Sequence, residues 1–119
     1  MKSRNYLAMP HLICKSNEIS AETMKLFSLN DRLIIVGRTG NVLFAFDNSC
    51  PHMGASLSKG DLRKGSIICY MHCFSYDVFT GKLIRIPEKW MNQNSNWKKT
   101  DPLTIIPIFE NDGNVYIEI

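Results

Sequence analysis

Short apolar runs separated by turn residues dominate the chain, and this pattern predicts β-strands. Residues 33–37 and 42–46 are apolar and flank a turn that contains Gly40, so they predict a β-hairpin. Residues 103–109 and 115–119 flank a polar turn that contains Gly113, and they predict a second hairpin. The chain is therefore expected to be mainly β.

Three further segments carry weaker signals. Residues 6–14 and 66–71 are short and rich in apolar or aromatic side chains, so they predict two more strands. Residues 20–26 are the only segment whose spacing of apolar and polar positions favours a short helix. We find no internal repeat and no low-complexity tract.

Composition places the chain among ordinary globular domains. It has 119 residues, of which 45% are hydrophobic and 21% charged, so a single domain spanning residues 1–119 is expected. The net charge of +3 is not concentrated in a basic run, which argues against a nucleic-acid partner. No segment has the roughly 20 consecutive apolar residues of a membrane span. The N-terminus is a poor signal peptide because Pro10 and His11 interrupt its apolar part, so we expect a cytoplasmic protein.

Cysteine and histidine occur together in two short motifs. Cys50-Pro51-His52 and Cys69-Tyr70-Met71-His72 are separated by 16 residues, and each motif supplies one thiolate and one imidazole. In a cytoplasmic protein, such cysteines are more often metal ligands or free thiols than disulfides. Two sulfur and two nitrogen ligands suit either zinc or an iron–sulfur centre. Zinc sites usually pair cysteine with cysteine and histidine with histidine, so the mixed motifs favour a 2Fe–2S centre.

These motifs and their surroundings resemble the Rieske proteins, whose signature is Cys-x-His followed by Cys-x-x-His after about 15 to 17 residues. The resemblance is dense over residues 42–86 and looser over the flanking hairpins. It implies that Cys50 and Cys69 bind the inner iron of one Rieske 2Fe–2S cluster. It also implies that His52 and His72 bind the outer iron.

Several positions depart from family patterns. Rieske proteins of respiratory complexes carry a disulfide over the cluster, but Ala55 and Met71 stand at the two matching positions. The chain therefore looks like the bacterial Rieske ferredoxins and the Rieske domains of ring-hydroxylating oxygenases. Cys73 replaces a glycine that usually follows the second histidine, and its role stays open.

Two residues beside the motifs have a candidate role at the cluster. Tyr76 is either a core aromatic residue or a hydroxyl that bonds a ligand sulfur, as in high-potential members of the family. Those members also have a serine where this chain has Phe74. Gly54 is expected to form a turn that brings backbone N–H groups near the cluster.

The resemblance implies an antiparallel β-sandwich base with a smaller cluster-binding subdomain over residues 48–86. It implies an electron carrier that passes single electrons between a reductase and an oxygenase or another acceptor. The sequence shows no residues for acid–base or nucleophilic catalysis. A Rieske domain or subunit of a ring-hydroxylating oxygenase is one alternative, although the closing hairpin is typical of a complete ferredoxin. The only histidine outside the motifs is His11, so this chain alone cannot form an oxygenase iron site. A zinc-binding interaction module is the second alternative.

A long polar segment follows the motifs. Residues 87–102 have a proline at each end and are expected to form a loop, longer than most in compact domains. If this loop packs beside the cluster, Trp90 and Trp97 would lie where a redox partner docks. Cys14 and His11 are expected to be structural.

Overall fold

The computed structural model describes residues 9–51, 54–71, 73–91 and 101–119. His52, His72 and Trp97, to which the sequence gives expected roles, lie outside the described residues. The described part contains one short helix, α1 (Glu88–Met91), and ten strands. The strands are β1 (Pro10–Lys15), β2 (Thr23–Leu29), β3 (Arg32–Thr39), β4 (Val42–Asp47), β5 (Asp61–Arg63), β6 (Ser66–Ile68), β7 (Ser75–Asp77), β8 (Leu83–Arg85), β9 (Ile108–Asn111) and β10 (Asn114–Glu118).

The strands form three antiparallel sheets, which confirms the all-β prediction. The first sheet has the order β1-β10-β9, the second β2-β3-β4 and the third β5-β6-β7-β8. Strands from both ends of the described chain meet in the first sheet, and the third sheet is made only of residues 61–85. The first and second sheets form the base of the molecule.

Strands β3 and β4 of the second sheet are buried on both faces, whereas β2 at its edge is not. Successive side chains of a strand point to opposite faces, and here each face packs into a different core. Ile34 and Val36 face a core shared with Val115 and Ile117, which we call the base core. Ile35 faces a second core, the loop core, together with Phe44, Phe46, Cys50, Leu57, Ile67, Cys69, Phe74, Tyr76, Val78 and Leu103. This two-sided burial explains why residues 33–37 and 42–46 are nearly continuous apolar runs.

The prediction of a helix over residues 20–26 is wrong. Thr23–Leu29 is the edge strand β2, which pairs antiparallel with β3 from Thr23↔Arg38 to Leu29↔Arg32. A helix of seven residues has only about two turns, so its local propensity contributes little stability. Hydrogen bonding along the whole length of the buried strand β3 contributes more. The local pattern was therefore overridden by a tertiary contact.

The two predicted hairpins are present with altered bounds. In the first, β3 and β4 extend to Thr39↔Val42, so the turn is shorter than the sequence suggests. In the second hairpin, the first strand is limited to Ile108–Asn111, which pairs with β10. The predicted strand residues before it, 103–107, include one isolated β-bridge, Phe46↔Ile105. Pro107 lacks an amide proton, which suits the interruption before β9.

Residues 87–102 were expected to form one loop. The segment contains the helix α1 in its first part, so the loop prediction is wrong there. Residues 92–100 lie outside the described residues. No helix in the described residues is long and apolar enough to cross a membrane.

Arg38 joins the second sheet to the first sheet and to the chain between β1 and β2. Its guanidinium donates to the carbonyl oxygens of Ile19 and Ser16 at 2.8 Å and 3.2 Å, and to the Glu110 carboxylate at 3.0 Å. Cys14 is buried in the base core, in agreement with a structural role, and burial raises the pKa of its thiol.

Candidate metal centre

Two loops with the same backbone hydrogen bonds carry the motif cysteines. In the first loop, residues 50–55, the Cys50 N–H donates to the Ala55 carbonyl at 2.8 Å and the Gly54 N–H donates back to the Cys50 carbonyl at 2.7 Å. In the second loop, residues 69–74, Cys69 bonds Phe74 in the same way at 2.9 Å, and Cys73 bonds Cys69 at 2.9 Å. The two motif cysteines therefore begin loops of the same length, and the same two backbone hydrogen bonds close each loop.

The fifth residue of each loop has a left-handed backbone. The φ angle is 71° at Gly54 and 60° at Cys73. Glycine reaches this region without cost, whereas a side chain is strained there. Gly54 thus has the positive φ that its expected turn role requires. Cys73 takes the same conformation on the exposed side of the second loop.

The two motif cysteines are buried together. Cys50 is 1% exposed and Cys69 is 0% exposed, and both belong to the loop core. All four cysteines of the chain lie in the described residues, and none forms a disulfide. Two buried thiols at matching positions of two loops, both in one core, suit the protected side of a metal centre with sulfur ligands. The described half of the site therefore fits an iron–sulfur group.

Tyr76 connects the core to the site. Its side chain is fully buried, and its hydroxyl oxygen lies 3.9 Å from Cys50 Sγ. Burial, followed by the nearby Cys50, raises the pKa of the Tyr76 phenol well above its ordinary value, so the hydroxyl keeps its proton. In this structure the Cys50 thiol donates to that oxygen. A metal-bound thiolate has no proton, so in that state the tyrosine would be the donor. Both roles suggested for Tyr76 by the sequence are thus compatible with its position.

Sequence reasoning gave no role to Asn48, a buried polar residue two positions before Cys50. Its side-chain amide bonds Ser56 and Ser58, which follow the first loop. The available signal was an amide residue at the start of the loop and two serines just after it. That signal is weak, because asparagine and serine are common in turns of every kind.

The surface beside the loops combines apolar and positive groups. Tyr70 is 48% exposed and Met71 is 43% exposed, although both belong to the second loop. Lys59 follows the first loop, and its Nζ lies 5.8 Å from the centroid of the Tyr70 ring. This cation–π contact links the segment after one loop to the other loop.

The chain is similar to ferredoxin subunits of bacterial dioxygenases. The 3-phenylpropionate/cinnamic acid dioxygenase ferredoxin subunit of Photorhabdus laumondii is 35% identical over 77 residues, which are 64% of this chain and 63% of that protein. The corresponding subunit of Escherichia coli strain K12 is 28% identical over 88 residues, which are 73% of each protein. The alignment thus spans less than two thirds of the Photorhabdus protein.

Similar solved structures also come from dioxygenase systems. A chain from the complex of reduced oxygenase and oxidised ferredoxin in carbazole 1,9a-dioxygenase matches with a TM-score of 0.75 at 25% identity, over 91% of both chains. The ferredoxin of carbazole 1,9a-dioxygenase from Nocardioides aromaticivorans IC177 matches in fold with a TM-score of 0.76 at 19% identity, over 92% of this chain and 96% of that one. A longer chain from another carbazole 1,9a-dioxygenase complex matches with a TM-score of 0.80 at 27% identity, over 91% of this chain and 28% of its own length.

The family model of the Rieske [2Fe-2S] domain matches residues 9–99, more than half of the chain. This assignment supports a 2Fe–2S centre over a zinc site. The chain belongs to the Rieske [2Fe-2S] family, and its cofactor is one Rieske-type 2Fe–2S cluster.

Proposed function

We propose that this protein is a ferredoxin that takes one electron from a reductase and passes it to an oxygenase or another acceptor. The family match and the similarity to dioxygenase ferredoxin subunits support this role. The observation that carries it is the pair of equally closed loops, each of which begins with a buried cysteine. When bound, a Rieske cluster supplies reversible one-electron chemistry.

The proposed ligands are Cys50 and Cys69 on the inner iron, and His52 and His72 on the outer iron. The burial of both thiols supports the inner assignment, because a thiolate pair away from water is protected from oxidation and exchange. The histidine assignment depends on the motif spacing, since both residues lie outside the described part of the chain. Tyr76 is proposed to donate to the Cys50 sulfur, while Gly54 and Cys73 shape the two loops.

The proposed domain organisation is a single Rieske domain over residues 1–119 with a cluster-binding subdomain over residues 48–86. The third sheet supports the subdomain, because β5 to β8 pair only with one another in the described structure. Residues from this sheet share the loop core with Ile35, Phe44 and Phe46 of the base. The subdomain and the base are therefore expected to fold as one unit.

The proposed partners are a reductase and an oxygenase, which would contact the surface formed by Lys59, Tyr70 and Met71. Exposed aromatic and methionine side chains are common anchors of protein interfaces, and a lysine would attract an acidic partner. The cytoplasm is the proposed location, because all four cysteines are free thiols in this structure and the cytoplasm keeps thiols reduced.

The central test is the redox behaviour of the purified protein. We expect a red-brown preparation with two irons and two sulfides per chain, one electron taken up per chain, and a Rieske electron paramagnetic resonance (EPR) signal after dithionite reduction. The reduced protein should also support product formation when it replaces the ferredoxin subunit of the E. coli 3-phenylpropionate dioxygenase components. A colourless protein with one zinc per chain would refute the function. A normal EPR signal without transfer to those components would restrict only the choice of partner.

A second candidate function is a Rieske domain that acts within a ring-hydroxylating oxygenase. The similarity to the longer carbazole dioxygenase chain favours it. Such an oxygenase needs a separate iron site with two histidines and a carboxylate, and this chain has only His11 beyond its motifs. Oxygen-dependent hydroxylation of an aromatic substrate by the protein and a reductase alone would establish this alternative.

A further inference from the structure

The two loops are closed alike at their cysteines but differ at their bases. The second loop lies between β6 and β7, whose pairs Ile68↔Ser75 and Ile67↔Tyr76 hold its ends together. Among the described residues, the β-pairing at the base of the first loop is the single isolated bridge Ser49↔Ser56, because the chain enters a 3₁₀ turn at Leu57–Lys59 directly afterwards. Strand pairing therefore holds the base of the second loop, whereas the base of the first loop needs other hydrogen bonds to hold it.

The side chain and backbone of Asn48 take the place of that ladder. The Asn48 carbonyl accepts the Leu57 N–H at 2.7 Å, and its Oδ1 accepts the Ser58 N–H at 2.9 Å. Its Nδ2 donates to the Ser56 Oγ at 2.8 Å, and its own N–H donates to the Leu33 carbonyl at 2.9 Å. Asn48 thus ties β3, the start of the loop and the segment after the loop at one point.

The same contacts cap the 3₁₀ turn. Its N-cap residue, Ser56, makes no side-chain capping bond. The first amide groups of a helical turn need an acceptor, and Asn48 supplies it for Leu57 and Ser58 from outside the turn. An amide also suits the site better than a carboxylate, because Asn48 is 8% exposed and a charge there would be costly to bury.

Asn48 is linked to the metal centre through Leu57, which is fully buried in the loop core together with Cys50. The Asn48 backbone carbonyl accepts the Leu57 N–H, and the Asn48 side chain bonds Ser56 and Ser58, the residues on either side of Leu57. We infer that Asn48 is a positioning residue for the iron–sulfur cluster, because its amide fixes the base of the first loop and so the place of Cys50. This inference rests on the proposed function, since it assigns a role toward the cluster that Cys50 is proposed to hold.

The test compares the cluster-loaded Asn48→Ala and Ser56→Ala variants with the Val36→Ala variant. Val36 is fully buried in the base core, on the opposite face of the second sheet, so its truncation weakens the fold without touching the first loop. Two readouts are taken well below the melting temperature. They are the EPR spectrum of the reduced protein and the rate at which an iron chelator bleaches the visible absorbance.

Asn48→Ala removes two part-buried hydrogen bonds of the side chain. We expect it to lose its cluster about tenfold faster than the parent, as the net contribution of such bonds implies. Its EPR signal should also shift or broaden, because the Cys50 ligand is less well fixed. Ser56→Ala removes the acceptor of the Asn48 Nδ2 bond and the hydroxyl contact with Ser58, but it keeps the bond from the Ser58 N–H to Asn48 Oδ1. It should therefore show a smaller effect in the same direction. Val36→Ala should keep the parent spectrum and bleaching rate in spite of a lower melting temperature.

The inference is overturned if Asn48→Ala keeps the parent spectrum and bleaching rate, or if Val36→Ala changes both readouts as much. If Asn48→Ala does not accumulate as a folded protein, Ser56→Ala decides by the same criteria. A parent protein that carries no 2Fe–2S cluster would instead refute the proposed function, and the two failures are thus distinct.

Discussion

Cys73 and Gly54 hold the same position in the two loops, and both have left-handed backbones, with φ angles of 60° and 71°. Each donates its N–H to the carbonyl of the motif cysteine four residues earlier. The fold thus places a residue with a Cβ at a position where its counterpart has none. The second loop therefore keeps its shape at the expense of backbone strain at Cys73.

Replacing Cys73 with glycine should therefore stabilise the protein. Relief of the left-handed strain is worth about 1 kcal/mol, and it should raise the urea midpoint followed by far-ultraviolet circular dichroism. Cys73→Ala is the matched control, because it removes the thiol but keeps the Cβ and the strain. An equal gain in both variants would show that the thiol, and not the backbone, is the source of the effect.

Removing the Tyr76 hydroxyl should lower the reduction potential. Tyr76→Phe keeps the buried ring but deletes the group 3.9 Å from Cys50 Sγ, which would stabilise the more negative, reduced cluster by donation. A hydrogen bond worth about 1 kcal/mol corresponds to roughly 40 mV for one electron, which voltammetry on an electrode film resolves. Tyr116→Phe, in β10 of the base, should leave the potential unchanged. A potential equal to that of the parent would mean that the hydroxyl serves only the packing of the core.

Replacement of either motif histidine should abolish the Rieske spectrum. His52→Ser and His72→Ser each remove one of the two nitrogen ligands proposed for the outer iron, so the characteristic EPR signal of the reduced protein should disappear. His11→Ser is the matched control, because His11 lies in β1 of the base. Persistence of the parent signal in both variants would disprove the ligand assignment.

Gly60→Ala should destabilise the third sheet for a steric reason alone. The backbone of Gly60 is in an ordinary region, but an added Cβ would clash with the backbone carbonyl of Ile68, the residue before Cys69. A rigid backbone neighbour cannot move aside, so we expect a loss of about 1–3 kcal/mol in the free energy of unfolding.

Gly65→Ala provides the comparison for this variant. Gly65 has open space around it but a φ of 86°, so its substitution meets strain without a clash. The loss should be smaller, about 1 kcal/mol. A Gly60→Ala protein as stable as the parent would show that β5 and β6 can separate without cost.

The sequence alone determined the class of the protein because the relevant information is local. The spacing of Cys50-Pro51-His52 and Cys69-Tyr70-Met71-His72 is readable along the chain, and it indicated the family that the residue 9–99 match later showed. The runs at residues 33–37 and 42–46 predicted their hairpin because seven of their ten residues are buried. The ligand roles of both motifs remain predictions.

Only the tertiary structure decided the features that depend on distant residues. Thr23–Leu29 is a strand because β3 offers it a ladder, a partner that its own composition does not reveal. The alternate faces of β3 reach two different cores, which no pattern of apolar residues in one strand can distinguish. Asn48 supports the first loop through residues eight and ten positions later, and its role arises because the chain bends back after Ser56. Local spacing specifies the chemistry of the motifs, whereas the supports that hold them arise from contacts formed only when the chain folds.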